Sequence, residues 1–190
     1  MLNEKFIDFV ESVLPSVPLD TKEGVQEAIA QFNKDGEQIR YLTNTHLPVL
    51  SQGDVISSVP FYYFDDDGNH KFFKADAMVI STSCHIDQKS KIVLVPVLPL
   101  ESFEGNVVEL KKNKIIDYMY IPDGSLIDYY VDFEIMNTYS RDLIMSGLSD
   151  NRLSRIASFN QIGFYFFIVK LTVYLMRKED AGTLSDRNVC

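Results

Sequence analysis

The chain has 190 residues, 46% of them hydrophobic and 24% charged, as in a globular protein with room for a substantial core. Its formal net charge of -9 excludes a basic field over the whole protein, so the charge does not favour a nucleic-acid partner. Two cysteines are too few for a disulfide framework and indicate thiols in a reducing compartment. With no secretory signal at its start, we expect the protein to be cytoplasmic.

Apolar residues at helical spacing dominate the beginning of the chain. They predict two helices and a third, shorter one, over 2–14, 21–33 and part of 37–50. We interpret 1–50 as an N-terminal helical segment.

The stretch from 52 to 99 contains apolar runs separated by polar turns. This pattern predicts a hairpin-rich sheet that curls into a small barrel. The first strand runs from Val55 to Phe64, and Asp67-Gly68 supplies the turn that follows it. Ala77 to Ser81 and Ile92 to Val97 are nearly continuous apolar runs, so we expect central strands that are buried on both faces.

Shorter elements are predicted after Pro99. The strand candidates are 107–110, 115–121 and 129–136, and the helix candidates are 138–148, 150–158 and 159–178. The last helix should be enclosed, because apolar side chains cover most of its surface. It should not cross a membrane, because Lys170 interrupts an apolar run shorter than the roughly 20 residues of a span. The fold class is α+β, with a barrel domain over 51–178 and a polar tail over 179–190.

Three motifs follow one another in this sheet region: Gly53-Asp54-Val55, Ala77-Met78-Val79-Ile80-Ser81 and Val93-Leu94-Val95-Pro96-Val97. In this order they resemble the PemK/MazF-like family. The resemblance implies an SH3-like barrel with N-terminal helices and an enclosing C-terminal helix. Many members of that family are toxins that cut RNA, in bacterial toxin–antitoxin pairs.

The chain departs from this family at both positions that serve catalysis there. The family usually has Arg-Pro before the apolar strand that ends in Ser, and the Arg stabilises phosphate charge. This chain has Ala75-Asp76, and Lys74 would point to the opposite face of the strand. The family has Thr after its Val-Pro strand, where this chain has Leu98-Pro99. We therefore assign no catalytic residue and retain Lys74 as a candidate phosphate or partner contact.

The segment after the second apolar strand is the densest group of reactive side chains. It contains the candidate binding residues of a rim loop: Ser81, Ser83, Cys84, His85 and Asp87. Neighbouring Cys and His on an extended chain point in opposite directions, which is poor geometry for a nucleophile and its base. No second Cys or His pair lies nearby to complete a zinc site, so we expect neither a metal nor a cofactor.

Arg152 and Arg155 are further candidates for contacts with phosphates or an acidic partner. On the predicted helix over 150–158 they would share one face, although a solvated, salt-bridged face is the simpler interpretation. An aromatic-rich run could stack single-stranded nucleic acid, or it could serve cross-strand packing or a dimer surface. Its members are Tyr118, Tyr120, Tyr129, Tyr130, Phe133 and Tyr139.

The leading functional hypothesis is a non-catalytic binding or assembly protein of a bacterial or phage operon, of toxin–antitoxin or phage-defence type. The barrel would be its recognition platform, and its partner would be a protein or a second copy of the chain. One alternative is a divergent PemK/MazF-like endoribonuclease, with Ser81, Ser83 and His85 as acid–base groups. Another is an acidic antitoxin or immunity-like inhibitor that masks a basic surface.

Overall fold

A computed structural model describes residues 40–122 and 128–176, with isolated helical positions at Glu23, Gln26, Ala30 and Thr183. The helix predicted at 2–14 lies outside the described residues, as do most of the helix at 21–33 and of the tail at 179–190. The described part of the chain is α+β, which confirms the predicted fold class.

Eight strands and four α-helices follow one another in this part of the chain. The strands are β1 Leu42–Thr43, β2 Asp54–Phe64, β3 His70–Val79, β4 Lys91–Pro99, β5 Tyr118–Ile121, β6 Tyr129–Asp132, β7 Asn137–Ser140 and β8 Arg155–Phe159. The helices are α1 Ser83–Gln88, α2 Val107–Lys111, α3 Arg141–Ser149 and α4 Gln161–Leu175. The strands form one antiparallel sheet in the order β1-β8-β2-β3-β4-β6-β5, and β7 pairs with the first half of β4.

The middle strands of this sheet are buried on both faces, as predicted. One face packs against α4, and its core includes Val55, Met78, Val95, Phe133, Phe166 and Phe167. The other face packs against α1 and α3, with a core that includes Ile56, Ala77, Ile86, Ile92, Leu94 and Ile144. Each fully buried side chain of this size contributes roughly 1.5–3 kcal/mol through the hydrophobic effect. These alternating apolar residues therefore fix the position of β3 and β4 at the centre of the fold.

Helix α4 confirms the predicted C-terminal helix and its packing role. The Asn160 side chain caps it by accepting a hydrogen bond from the Gly163 N–H at 2.9 Å. Phe166 and Phe167 on α4 are 2% and 0% exposed. No helix among the described residues combines the length and the apolar character that a membrane crossing requires.

Three segments differ in type from their prediction, and one of them is 138–140, which was expected to begin a helix but belongs to β7. The segment 107–110 was expected as a strand but forms α2, because the Asn106 side chain accepts hydrogen bonds from the N–H groups of Val108 and Glu109. That cap outweighs the β-propensity of the two valines. The segment 150–158 was expected as a helix, but most of its second half belongs to β8, which lies between β1 and β2.

A predicted loop and a predicted short helix also differ from their prediction. The link after the second apolar strand forms α1 rather than an extended loop. Within 37–50, the described positions contain β1 and no helix.

β2 and β3 continue beyond their other neighbours as a two-stranded arm. From Val59–Ala75 to Phe64–His70, their ladder pairs them only with each other. The arm begins at a bulge after Ile56, where Ser58 has a φ of +56°. It ends in the predicted turn, where Gly68 has a φ of +78°.

Backbone pairing among the described residues does not close this sheet into a barrel, because β1 and β5 remain its outer strands. Side chains make a further link across it. The Asn137 amide accepts from the Tyr62 N–H at 2.9 Å and donates to the Tyr62 carbonyl at 3.1 Å. The Tyr139 hydroxyl donates to the Pro60 carbonyl at 2.6 Å. β7 is thus joined to the outer edge of β2 through side chains.

A second asparagine makes the same kind of contact at the outer edge of β5. The Tyr120 N–H donates to the Asn113 amide oxygen at 2.8 Å, and the Asn113 amide nitrogen donates to the Tyr120 carbonyl at 3.3 Å. Asn113 has a φ of +53°, a left-handed conformation that asparagine tolerates better than most residues.

Candidate functional site

A groove runs beside β3 and β4 where the arm leaves the sheet. Its narrower part has a volume of about 230 Å³ and is lined by Ser58, Lys74, Ala75, Asp76, Val97, Leu98, Pro99 and Tyr129. Its wider part, of about 520 Å³, is lined by Arg40, Leu42, Thr43, Asn44, Val55, Asp76, Val97, Tyr129, Ile156 and Ala157. Because Asp76, Val97 and Tyr129 line both parts, we treat them as one β3–β4 groove.

The bulge in β2 shapes the narrower part of this groove. β2 pairs with β8 only from Asp54 to Ile56, and the register shifts between Ile56 and Val59. The bulged Ser58 directs its N–H toward the Asp76 carboxylate at 3.4 Å. A bulge bends the strand that carries it, and here the arm turns away from β8 and leaves the groove open.

The β3–β4 groove carries both signs of charge. Arg40 and Lys74 contribute the cations, and Asp76 contributes the carboxylate. Thr43, Ser58 and Tyr129 add hydroxyl groups, and no imidazole is among the lining side chains. This set can hydrogen-bond and pair charges with an extended ligand. It contains no histidine to act as a general acid or base.

The two departures from the PemK/MazF-like pattern come together in this groove. Asp76 pairs with Val97 across the β3–β4 ladder. As a result, Ala75 and Asp76 line the narrower part together with Leu98 and Pro99. Where the resemblance implies a cation and a hydroxyl, the narrower part of the groove is lined by an alanine, an aspartate and two apolar residues.

The rim-loop candidates lie beyond the opposite end of β3 from the arm. The Ser81 hydroxyl accepts from the Val93 N–H at 2.8 Å, and the Ser83 hydroxyl accepts from the Gln52 N–H at 3.2 Å. These two hydroxyls tie the start of α1 to the sheet. Cys84 and His85 are exposed on α1, with the Cys84 sulfur 3.3 Å from the Thr82 hydroxyl.

The two arginine candidates have different environments and do not share a helix face. Arg152 is exposed and pairs with Asp150 at 2.8 Å, and its hydrogen bond lowers the pKa of that carboxyl group. Arg155 is only 20% exposed and pairs at 2.9 Å with Asp54, which is 2% exposed. Arg155 also donates to the carbonyls of Val49 and Leu47 at 2.8 and 2.7 Å. These bonds hold Arg155 in place as a structural cation.

Two of the predicted site residues, one from the rim loop and one of the two arginines, meet in a second cavity. Asp87 and Arg155 line a space of about 560 Å³ between α1, α3 and β8. Arg141 lines it too, and donates to the Ile86 carbonyl at 2.6 Å. Lys74 is in the β3–β4 groove instead, so the structure does not unite the predicted candidates in one site.

Asp54 is the polar residue that sequence reasoning undervalued. Its carboxylate accepts from the Ser51 N–H at 2.8 Å and from the Ser158 hydroxyl at 2.5 Å, in addition to Arg155. Ser158 in turn contacts the His46 ring nitrogen at 2.9 Å. An aspartate directly before an apolar strand could have indicated this buried site. A carboxylate at such a position is buried only when charged or hydrogen-bonding groups pair with it. Arg40 and Tyr129 of the groove had no comparable motif.

The predicted aromatic run belongs mostly to the core. Tyr120, Tyr130, Phe133 and Tyr139 are at most 9% exposed. Tyr118 and Tyr130 pack edge to face with Phe103 at 5.3 and 5.2 Å. Burial raises the pKa of Tyr139 and Tyr130. These rings pack the protein and, Tyr129 in the groove aside, do not form a stacking surface.

A buried lysine lies behind this aromatic region. Lys170 on α4 is 6% exposed and donates to the carbonyls of Asn113 and Ile115 at 3.2 and 2.6 Å. Burial lowers its pKa to about 8, against the opposing charge of Asp117. The ammonium group joins α4 to the segment before β5.

Comparison with known proteins does not assign the chain to a family. No protein-family model matches the chain, and a search of curated proteins finds no significant match. Within the residues that the structure describes, no three His, Cys, Asp or Glu side chains form a group that could hold a metal ion.

Proposed function

We propose that this protein is a non-catalytic binding or assembly protein, and that its β3–β4 groove receives an extended segment of a protein partner. One observation carries the proposal: Ala75, Asp76, Leu98 and Pro99 line the narrower part of the groove together. A carboxylate at this point disfavours a phosphodiester, whereas apolar walls beside both signs of charge suit a peptide.

The proposal extends to the finer fold and to the cellular setting. An SH3-like barrel is supported by the consecutive antiparallel β2–β3–β4 strands and by the Asn137 link from β7 to β2. The resemblance of the three motifs supports a cytoplasmic role in a bacterial or phage operon, of toxin–antitoxin or phage-defence type. In that setting the partner would be the product of a neighbouring gene.

A divergent endoribonuclease is the second candidate, and one observation favours it. Arg40 and Thr43 line the wider part of the same groove, so a guanidinium and a hydroxyl border the same cavity as Asp76. The guanidinium of an arginine is a permanent cation with forked donors, which suits it to stabilise negative charge on a phosphate in the transition state. This candidate needs Arg40 to replace the family's arginine from a different part of the chain.

Co-expression with the neighbouring genes separates the two candidates. We expect one neighbouring product to co-purify with the full chain, and Tyr129→Ala with Asp76→Ala to weaken its binding at least tenfold, about 1.4 kcal/mol. Arg152→Ala is the matched surface control and should leave binding unchanged, because Arg152 lies outside the groove. Binding would be measured with the purified partner by calorimetry.

The purified chain would also be incubated with a mixed-sequence single-stranded RNA. We expect no cleavage. If RNA is cleaved and Arg40→Ala abolishes cleavage, the binding proposal fails and the endoribonuclease candidate replaces it.

A further inference from the structure

The arm carries a contiguous patch of exposed aromatic side chains. Tyr62 pairs with Phe72, and Phe64 pairs with His70, so the four rings lie on one face of the two-stranded arm. Phe64, Phe72 and Tyr62 are 71%, 65% and 47% exposed. His70 lies 5.4 Å from Phe64 and 5.9 Å from Tyr62 between ring centroids. Contiguous exposed rings of this kind mark an interaction surface.

The body of the protein holds the arm from its other face. Phe61 points away from the patch, is fully buried, and stacks on Phe73 at 5.7 Å. Asn137 holds both backbone groups of Tyr62, and Tyr139 holds the carbonyl of Pro60. The rings are therefore presented on an anchored strand pair, which lowers the entropy cost of binding through them.

Charged groups occupy the two ends of this aromatic face. The tip carries Asp66 and Asp67, both exposed. At the base, Lys74 is exposed and pairs with Pro60, which places it on the same face as the rings. Lys74 has no ion-pair partner among the described residues. The face therefore has two carboxylates at its tip, aromatic rings in its middle and the Lys74 ammonium at its base, where Asp76 follows two residues later on the same face of β3.

We propose that two copies of this chain associate by stacking these arm faces antiparallel about a two-fold axis. With the two-fold axis perpendicular to the arms, the tip of each arm lies over the base of the other, so Asp66 and Asp67 of one copy meet Lys74 of the other. The aromatic rings meet in the middle and lose their exposure to water. A uniformly basic partner would meet Lys74 and a uniformly acidic one would meet the aspartates, whereas a second copy satisfies both ends.

The size of the patch sets the strength of this association. Each aromatic side chain buries about 150–250 Å² when fully covered, and these rings already have part of their surface covered. The contact is consequently smaller than the ~800 Å² per partner of a standard interface, so we expect a dissociation constant in the micromolar range.

Sedimentation of the full chain, from about 1 to about 300 µM, tests the proposal. The wild-type chain should change from monomer to dimer over this range. Phe64→Ser combined with Phe72→Ser should weaken the dimer at least tenfold, with the fold checked by circular dichroism. Lys112→Glu is the matched charge control, because Lys112 is exposed away from the arm, and it should leave the dimer unchanged.

Charge reversal tests the antiparallel arrangement. Lys74→Glu alone, and Asp66→Lys with Asp67→Lys alone, should each weaken the dimer at least tenfold. All three changes in one chain should restore it, because each arm then again meets the opposite charge at both ends.

Three results would overturn the proposal. They are a monomer at every concentration, a dimer that survives loss of both phenylalanines, and a triple charge variant that stays monomeric. If the chain is monomeric and the arm amides are protected from hydrogen exchange, another segment of the same chain covers the face instead.

Discussion

Asp132, at the end of β6, is a buried residue with only 8% of its surface exposed. Burial raises its pKa to about 6, and the charges of Glu134 and Asp117 act in the same direction. The N–H of Glu134 donates to the carboxyl group at 2.8 Å and partly offsets this effect. A charged Asp132 is thus costly in the folded protein at neutral pH.

Stability should fall as the pH rises from 3.8 to about 6, because in this window the folded chain binds more protons at Asp132 than the unfolded chain. Asp132→Asn keeps an acceptor for the Glu134 N–H and removes the charge. We expect it to remove this pH dependence and to stabilise the protein at pH 7.5 by roughly 1–3 kcal/mol.

Urea unfolding from pH 4 to pH 8 measures this effect. Asp142→Asn is the control, because the Asp142 side chain is 89% exposed, and its pH profile should match the wild type. An Asp132→Asn profile that keeps the wild-type slope would contradict the assignment to Asp132.

Helix α4 approaches the segment before β1 closely at Gly163. A Cβ at this position would lie against the carbonyl oxygen of Tyr41 and 2.8 Å from the Phe159 ring. The Asn160 N–H donates to the same Tyr41 carbonyl at 2.8 Å, so this backbone cannot easily move away. The absence of a side chain at Gly163 lets α4 lie flat on the sheet.

Gly163→Ala should therefore destabilise the protein. Alanine normally stabilises a helix interior by about 1 kcal/mol relative to glycine, but overpacking costs roughly 1–3 kcal/mol and should outweigh that gain here. Thermal unfolding measures the result, with exposed Gln161→Ala on the same helix as the control. A Gly163→Ala protein as stable as the wild type would show that Tyr41 can move aside.

The elements that the sequence predicted well are those with long apolar runs. β2, the central parts of β3 and β4, and α4 follow from such periodic patterns. The missed elements depend on other information. α2 is set by the Asn106 cap, and β8 is set by pairing with β1 and β2, which are over 90 residues earlier in the chain. Pairing over that distance leaves no local periodic signal.

At the scale of the whole molecule, the Asp54–Arg155 pair joins three parts of the chain. Asp54 begins β2, Arg155 begins β8, and Arg155 also holds the carbonyls of Leu47 and Val49 in the loop between β1 and β2. Breaking a buried ion pair by removing one partner is costly, because the other charge stays buried without compensation.

Arg155→Met should destabilise the protein by about 3 kcal/mol, and Asp54→Ala should cost less, because the Arg155 side chain is 20% exposed and Asp54 only 2%. The double variant should cost less than the sum of the two single changes. Urea unfolding measures all three, and Arg152→Met, at an exposed pair, should leave the midpoint almost unchanged. Additive effects of the two single changes would contradict a direct coupling.

The sequence predicted the candidate site only in part, because residues far apart along the chain contribute to it. The motif comparison placed Ala75-Asp76 and Leu98-Pro99 at positions that the fold brings together. It could not place Arg40 or Tyr129 beside them, because neither lies in a motif. Arg155 looked like an available cation because its partner Asp54 lies 101 residues earlier.

The carboxamides of Asn113 and Asn137 have a consequence for how any partner can approach. Each saturates the outward N–H and carbonyl of one strand residue, Tyr120 on β5 and Tyr62 on β2. A foreign strand needs these same groups to extend a sheet by main-chain pairing. At these two places that mode of recognition is closed, so a partner that binds there must be selected by side chains rather than by a shared backbone pattern.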